Sequence, residues 1–210
     1  MAISTYAELQ TATANWLDRT DLTSQIPNFI DLAEATFNRT IRNHRMITKN
    51  DSYSLGARYV NLPTDTLEII RIVLDTSPVI TLEYLTPEEI AERRMGLSST
   101  GKPIYFTVVG GSTNQIELLR SPDETYTSSI VYYTKIPALS DSATTNWLLT
   151  NHPDIYLFGT LVEAEPYLKN DERMPMWSAR LSKALEELKL QSEREMHTGS
   201  SLRMRSRVLG

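Results

Sequence analysis

The sequence predicts an α+β fold: a helical bundle made from N- and C-terminal helix pairs, with a strand-rich insertion between them and an extended C-terminal tail. Three observations predict it. Apolar residues recur at steps of three and four at both ends of the chain, the period falls to two between about Tyr53 and Pro137, and the last eleven residues return to period two without a turn signal. Helical ends flanking a strand-rich middle are the pattern expected when the two ends pack together around an insertion. The boundaries predicted are 1–50 for the N-terminal helices, 51–140 for the insertion, 141–199 for the C-terminal helical hairpin and 200–210 for the tail.

Each element has a local reason. Thr5-x-x-Glu8 is a capping box, followed at helical spacing by Tyr6, Leu9, Thr13, Trp16 and Leu17; Asp18 to Asp21 ends that helix. A second helix begins near Thr23 with Pro27 tolerated in its first turn, and Ile26, Phe29, Ile30, Ala33, Phe37 and Ile41 form one apolar face. Ala33 and Ala35 are small enough to admit a neighbouring helix. In the middle, Arg58–Leu62 alternates before Pro63, Leu67–Leu74 reads as a strand buried on both faces, and Val79–Leu85 alternates again. Pro87–Arg94 is a short helix with acids early and bases late. Ile104–Val109 and Gln115–Arg120 flank the loose turn Gly110–Asn114, and Ser128–Lys135 closes the set. Helix returns after Asp141. Ile155, Leu157, Phe158, Leu161, Val162 and Ala164 mark one helix and Met174, Trp177, Leu181, Ala184, Leu185, Leu188 and Leu190 the next, with Lys169–Asp171 as the turn and Asp171 as N-cap.

Composition excludes more than it identifies. The 210 residues include 21 Lys and Arg against 26 Asp and Glu, for a net charge of −5, and no cysteine. Disulfide scaffolds, thiol nucleophiles, iron–sulfur clusters and cysteine-bound zinc are therefore out. No basic–apolar leader and no membrane-length apolar run occurs. His44, His152 and His197 are widely spaced without a His-Glu-x-x-His pattern, and read as helix-end or surface residues. Gly110-Gly111-Ser112 runs from strand to strand, so it is a turn and not a phosphate cradle. Glu163 and Glu165, two apart on a helix, point to different sides and cannot share a substrate. No Gly-x-Ser-x-Gly elbow is present. The expectation is a protein that is not an enzyme and needs no cofactor or metal.

The tail is the most informative segment. Ser200 to Gly210 carries three arginines and no acid, so the preceding body holds about −8. In an extended chain Leu202, Met204 and Val208 fall on one side and Arg203, Arg205 and Arg207 on the other, with Leu209 following. Three charges support only weak, salt-dependent nucleic-acid binding. A docking strand, apolar side chains in a partner's groove and arginines on its carboxylates, fits the pattern better.

Taken in order, these segments resemble the head-to-tail adaptor (connector) proteins of tailed bacteriophages. The resemblance rests on Thr5-Tyr6-Ala7-Glu8-Leu9 through Trp16-Leu17-Asp18-Arg19-Thr20-Asp21-Leu22, on Ile26-Pro27-Asn28-Phe29-Ile30-Asp31-Leu32-Ala33-Glu34-Ala35, on Tyr59-Val60-Asn61-Leu62-Pro63-Thr64-Asp65, and on Glu165-Pro166-Tyr167-Leu168-Lys169-Asn170-Asp171-Glu172-Arg173 with Trp177. Pro166 and Pro175 depart from the usual hairpin pattern. The resemblance implies a structural virion protein at the neck, assembled in the host cytoplasm and typically forming a ring of twelve copies on the portal protein. Such a ring extends the DNA channel and presents a surface to a tail or nozzle protein; genome DNA passes through it without specific binding. By position and chemistry, Leu202, Arg203, Met204, Arg205, Arg207, Val208 and Leu209 are the counterpart of the family's portal-docking tail. A head-completion or stopper protein, another neck or tail protein, and a cytosolic nucleic-acid-binding module are the competing expectations.

Overall fold

The computed structural model describes residues 3–96, 99–111, 113–168 and 172–197. The fold is α+β. Residues up to His44 and from Ile136 onward form one compact unit, and Arg45–Lys135 form a second.

The first unit is helical. Helix α1 (Tyr6–Leu17) opens on the expected capping box: the Glu8 N–H donates to Thr5 Oγ1 and the Glu8 carboxylate accepts from the N–H groups of Thr5 and Ser4. Those donors hold the Glu8 carboxyl below the usual carboxylate range, the Ser4 N–H first. Asp18 stops the helix in the left-handed conformation, φ 54°, which aspartate tolerates better than most residues. Helix α2 (Ile26–Thr40) starts three residues after Thr23, and its predicted face is buried from Ile26 to Ile41. Of the two alanines expected to admit a neighbour, Ala33 is buried and Ala35 is exposed.

A short helix, α3 (Pro87–Gly96), belongs to the second unit; the bundle resumes with α4 (Trp147–Asn151), α5 (Pro153–Leu168) and α6 (Met174–His197). The region after Asp141 thus holds an additional short helix, because the Asn146 side chain caps a new first turn through the Leu149 N–H at 2.8 Å. Helix α5 packs against α1, α2, α4 and α6. An apolar sequence on nearly all its sides suits that central place. Gly159 is what lets α2 approach it: a Cβ there would lie 2.4 Å from Phe37 Cζ. The expected turn at Lys169–Asp171, with Asp171 as N-cap, lies outside the described residues.

The second unit is a sandwich of two four-stranded sheets with α3 (Pro87–Gly96) packed on one of them. In one sheet the order is β1 (Ile47–Leu55), β8 (Tyr126–Thr134), β3 (Thr66–Leu74), β4 (Ile80–Thr81), all antiparallel. In the other it is β2 (Tyr59–Asn61), β7 (Gln115–Leu119), β6 (Tyr105–Val109), β5 (Glu83–Tyr84), with β5 parallel to β6 and α3 as the crossover between them. Inward-facing Leu55, Ile72, Leu74, Phe106, Ile116, Leu118 and Ile130 form a shared core.

Three strand expectations need correction. Strand β1 begins at Ile47, before the period change near Tyr53, because it is an edge strand whose Thr48–Ser52 stretch is polar and bulged. The run Leu67–Leu74 is not buried on both faces: Glu68, Ile70 and Arg71 are exposed, and two bulges disturb its pairing with β8. The run Val79–Leu85 is divided between sheets. It pairs as β4 with β3 and, after buried Leu82, as β5 with β6.

Candidate functional site

Within the bundle, a buried polar cluster fixes the segment that returns from the strand-rich insertion. Glu34 and Asn38 are four apart and share a face of α2. Asn38 Oδ1 accepts the Ile136 N–H at 2.8 Å, and Glu34 Oε1 accepts the Leu139 N–H at 2.9 Å. The Tyr156 hydroxyl donates to Glu34 Oε1 at 2.9 Å, and Asn146 Nδ2 bridges that hydroxyl and the Pro137 carbonyl. Burial pushes the Glu34 carboxyl above its ordinary range, against the opposing pull of the Leu139 and Tyr156 donors. The Tyr156 hydroxyl is pushed up by the same burial and by the Glu34 charge. With its Oε1 engaged by both a backbone amide and a phenol from inside the bundle, Glu34 acts as a clamp rather than as an acid or base.

The ends of α6 are tied down in two ways. At its start, Arg173 donates to the Trp16 carbonyl at the C-terminal turn of α1 (3.0 Å), and its guanidinium lies 5.0 Å from the ring centre of buried Trp177. Near its end, the His44 N–H donates to Ser192 Oγ at 3.0 Å, and His44 Nε2 lies 3.0 Å from Glu195 Oε2. His152 caps the C-terminus of α4. Glu163 accepts the Thr36 hydroxyl at 3.1 Å, so this acid serves helix packing. Along α6 the large apolar side chains Met176, Leu190 and Met196 are exposed, so Leu190, part of the periodic pattern read from the sequence, lies off the buried stripe. The predicted docking residues Leu202, Arg203, Met204, Arg205, Arg207, Val208 and Leu209 lie outside the described residues.

In the sandwich, Glu117 is the polar centre. Its Oε1 accepts from Arg58 Nε (3.0 Å) and Nη2 (2.6 Å) and from Arg94 Nη2 (2.6 Å), joining the chain before β2 and the end of α3 to β7. Arg93 adds a stacking contact, 4.8 Å from the Tyr105 ring centre. Such an array holds a helix onto a sheet; it presents no free nucleophile. Among the described residues no group of three His, Asp or Glu side chains could hold a metal ion, and no helix is long and apolar enough to cross a membrane.

The family model described as SU10 adaptor protein matches residues 4–205, running through both compact units and into the arginine-bearing tail. The chain belongs to the SU10 adaptor protein family. Membership points to a phage structural adaptor, and so to a structural rather than catalytic role in the virion. No curated protein matches the chain. For this SU10 adaptor family member, the surfaces that matter are therefore those that could receive other proteins.

The residues missed at the sequence level are those of the clamp. Glu34 and Asn38 occupy positions next to or between apolar residues of the α2 face, and a carboxylate at a core-adjacent position followed four residues later by an amide is the signal that could have found them. Asn146 and Tyr156 carry no comparable mark, since their partners lie about a hundred residues away or across a turn.

Proposed function

We propose that this chain is the subunit of a ring-forming head-to-tail adaptor that docks on the portal, extends the DNA channel and provides the attachment surface for the tail. The family match across residues 4–205 carries this reading. Charge supports it: an acidic body repels phosphate and lets genome DNA pass without sticking, while the basic tail seeks carboxylates on another protein. Ring closure needs two different surfaces on each subunit, and a chain built of two dissimilar units offers them. The ring, of about twelve copies by family resemblance, forms on the portal template, since a modest interface repays the entropy of association poorly.

The tail residues Leu202, Arg203, Met204, Arg205, Arg207, Val208 and Leu209 are the portal anchor in this proposal. Deleting Ser200–Gly210 should abolish co-purification with the portal protein while leaving the thermal unfolding of the body unchanged. A truncated protein that still binds the portal would refute the anchor. Sedimentation of the full chain with and without portal tests the assembly route: large species are expected only in the mixture, and a stable ring of the free protein contradicts template-driven assembly.

A further inference from the structure

The sandwich contains a strand-sized gap. On the side away from β8, β3 is paired only near its end, at Val73 and Leu74 with β4 and through the Leu82 N–H to the Ile72 carbonyl. Its Thr66–Arg71 stretch has no strand on that side among the described residues. The same holds for β6 on the side away from β7: it meets β5 at Tyr105 and Phe106, and among the described residues no strand lies beside it from there to Val109. The cause is the strand that changes sheets: by spending two residues in each, β4 and β5 cover only one end of each edge and leave the rest open. Between them lies a groove of about 530 Å³ whose lining includes Leu62, Ile69, Ile70, Leu82, Tyr84 and Phe106. Ile70 is 47% exposed and Tyr84 54%, high values for such side chains beside a core. Thr66, also in the lining, has a buried hydroxyl with no hydrogen-bond partner. Backbone groups on an open edge, an apolar floor and an unpartnered hydroxyl together describe a receptor for an extended chain.

We propose that this groove receives the C-terminal segment Leu202–Val208 of a second copy of the chain, added as a strand beside β3. Length, pattern and charge all select it. Seven residues match the six of Thr66–Arg71. Alternation turns Leu202, Met204 and Val208 toward the groove floor and the three arginines away from it. The groove lining carries one acid and one base, Glu68 and Arg71, and the chain running from Asp65 to Tyr84 adds Asp65, Asp75 and Glu83 outside the lining, whereas the tail is purely basic. Insertion into a different copy is a heterologous contact, and it covers an edge otherwise open to aggregation until a portal takes the tail. Between free copies this pairing is transient, so it is read by a covalent trap and builds no stable ring without the portal. A tail seated in the groove cannot dock elsewhere at the same time, so engagement of a portal by the same apolar row requires its release.

The absence of native cysteine makes the test clean. Full-length Ile70→Cys protein is mixed under mild oxidation with affinity-tagged, full-length Leu202→Cys, Met204→Cys or Val208→Cys protein. Disulfide-linked heterodimers are expected with at least one tail position, in severalfold higher yield than when Met95→Cys, an 88% exposed site on α3 outside the groove lining, replaces Ile70→Cys. Adding Glu68→Lys and Glu83→Lys to the Ile70→Cys protein should lower the yield severalfold at low salt. Equal yields at Ile70 and Met95 overturn the proposal. So does a link found only within one chain when Ile70→Cys and Met204→Cys are combined. Thermal unfolding of each single variant, all at exposed or tail positions, verifies that the body is intact. Because no portal is present, failure here leaves the portal anchor standing, and failure of the truncation test leaves this pairing standing.

Discussion

At Gly159 a hydrogen atom decides how close two helices come. The added methyl of Gly159→Ala would meet the Phe37 ring at 2.4 and 2.8 Å, and Ala33 Cβ at 3.6 Å closes the other side. Because Phe37 is itself buried and packed edge-on against Tyr156 at 5.3 Å, it has little room to yield. The substitution should destabilise the bundle by about 1–3 kcal/mol, the usual cost of overpacking, measurable as a shift in the denaturation midpoint. Glu34 makes a second prediction. Its folded-state proton affinity is raised, so the unfolded chain releases this proton at lower pH, and stability contributed at acid pH is lost as pH rises from about 4.5 through the folded value. Glu34→Gln keeps an acceptor for Leu139 and Tyr156 and should remove that decline, leaving the variant at least as stable as the parent at pH 7. Glu34→Ala strands both donors and should cost about 1–3 kcal/mol. Unfolding curves at pH 4 to 8 separate the two, and identical pH slopes for Glu34→Gln and parent would show that the carboxyl is not the titrating group.

Among the elements, α3 owes its position to few contacts. Ile90 packs with Leu85 and Leu119, and Arg94 pairs with Glu117. Replacing Glu117 with Ala removes the shared acceptor of Arg58 and Arg94 and should accelerate amide hydrogen exchange first in α3 and β2, before the sheet core of β3 and β8. Uniform acceleration across the sandwich would mean that Glu117 supports the whole unit. The elements also show what was legible in advance. Helices α1, α2, α5 and α6 were readable because a 3.6-residue period over three or more turns leaves a redundant signal, and Thr5 and Pro27 mark their starts. The β6–β7 hairpin was readable from its glycine turn. Strand β1 was not, because an edge strand faces water on several sides and needs no alternation. The split of Val79–Leu85 into two sheets was invisible too, since alternation continues unbroken through Leu82 while the hydrogen-bond partners change. Local pattern reports which face is apolar; it does not report who pairs with the backbone.

For the whole molecule, the charge of −5 conceals a division between an acidic body and a basic terminal segment. That division makes assembly sensitive to ionic strength: raising salt from 0.05 to 0.5 M should weaken attachment of the full chain to its protein partners, and leave little residual change for a variant with Arg203, Arg205 and Arg207 replaced by Gln. Equal salt sensitivity of the two proteins, read by co-sedimentation, would assign the effect to the body. Overall architecture was legible from the sequence because the period changes twice, once on entering the insertion and once on leaving it. The docking groove was not, because it is defined by a strand that is missing from two edges rather than by any residue that is present.

The interleaving of the bundle has a consequence during synthesis. Helices α1 and α2 leave the ribosome first, yet α5, whose surface they bury, begins only at Pro153, after the entire strand-rich unit has been made. At ordinary elongation rates the apolar face from Ile26 to Ile41 waits on the order of ten seconds for its partner. Arg45–Lys135 has its complete set of strands well before then. The nascent chain thus passes through a stage in which a finished sandwich trails an unfinished bundle, and the greasy stripe of α2 is the natural station for a chaperone.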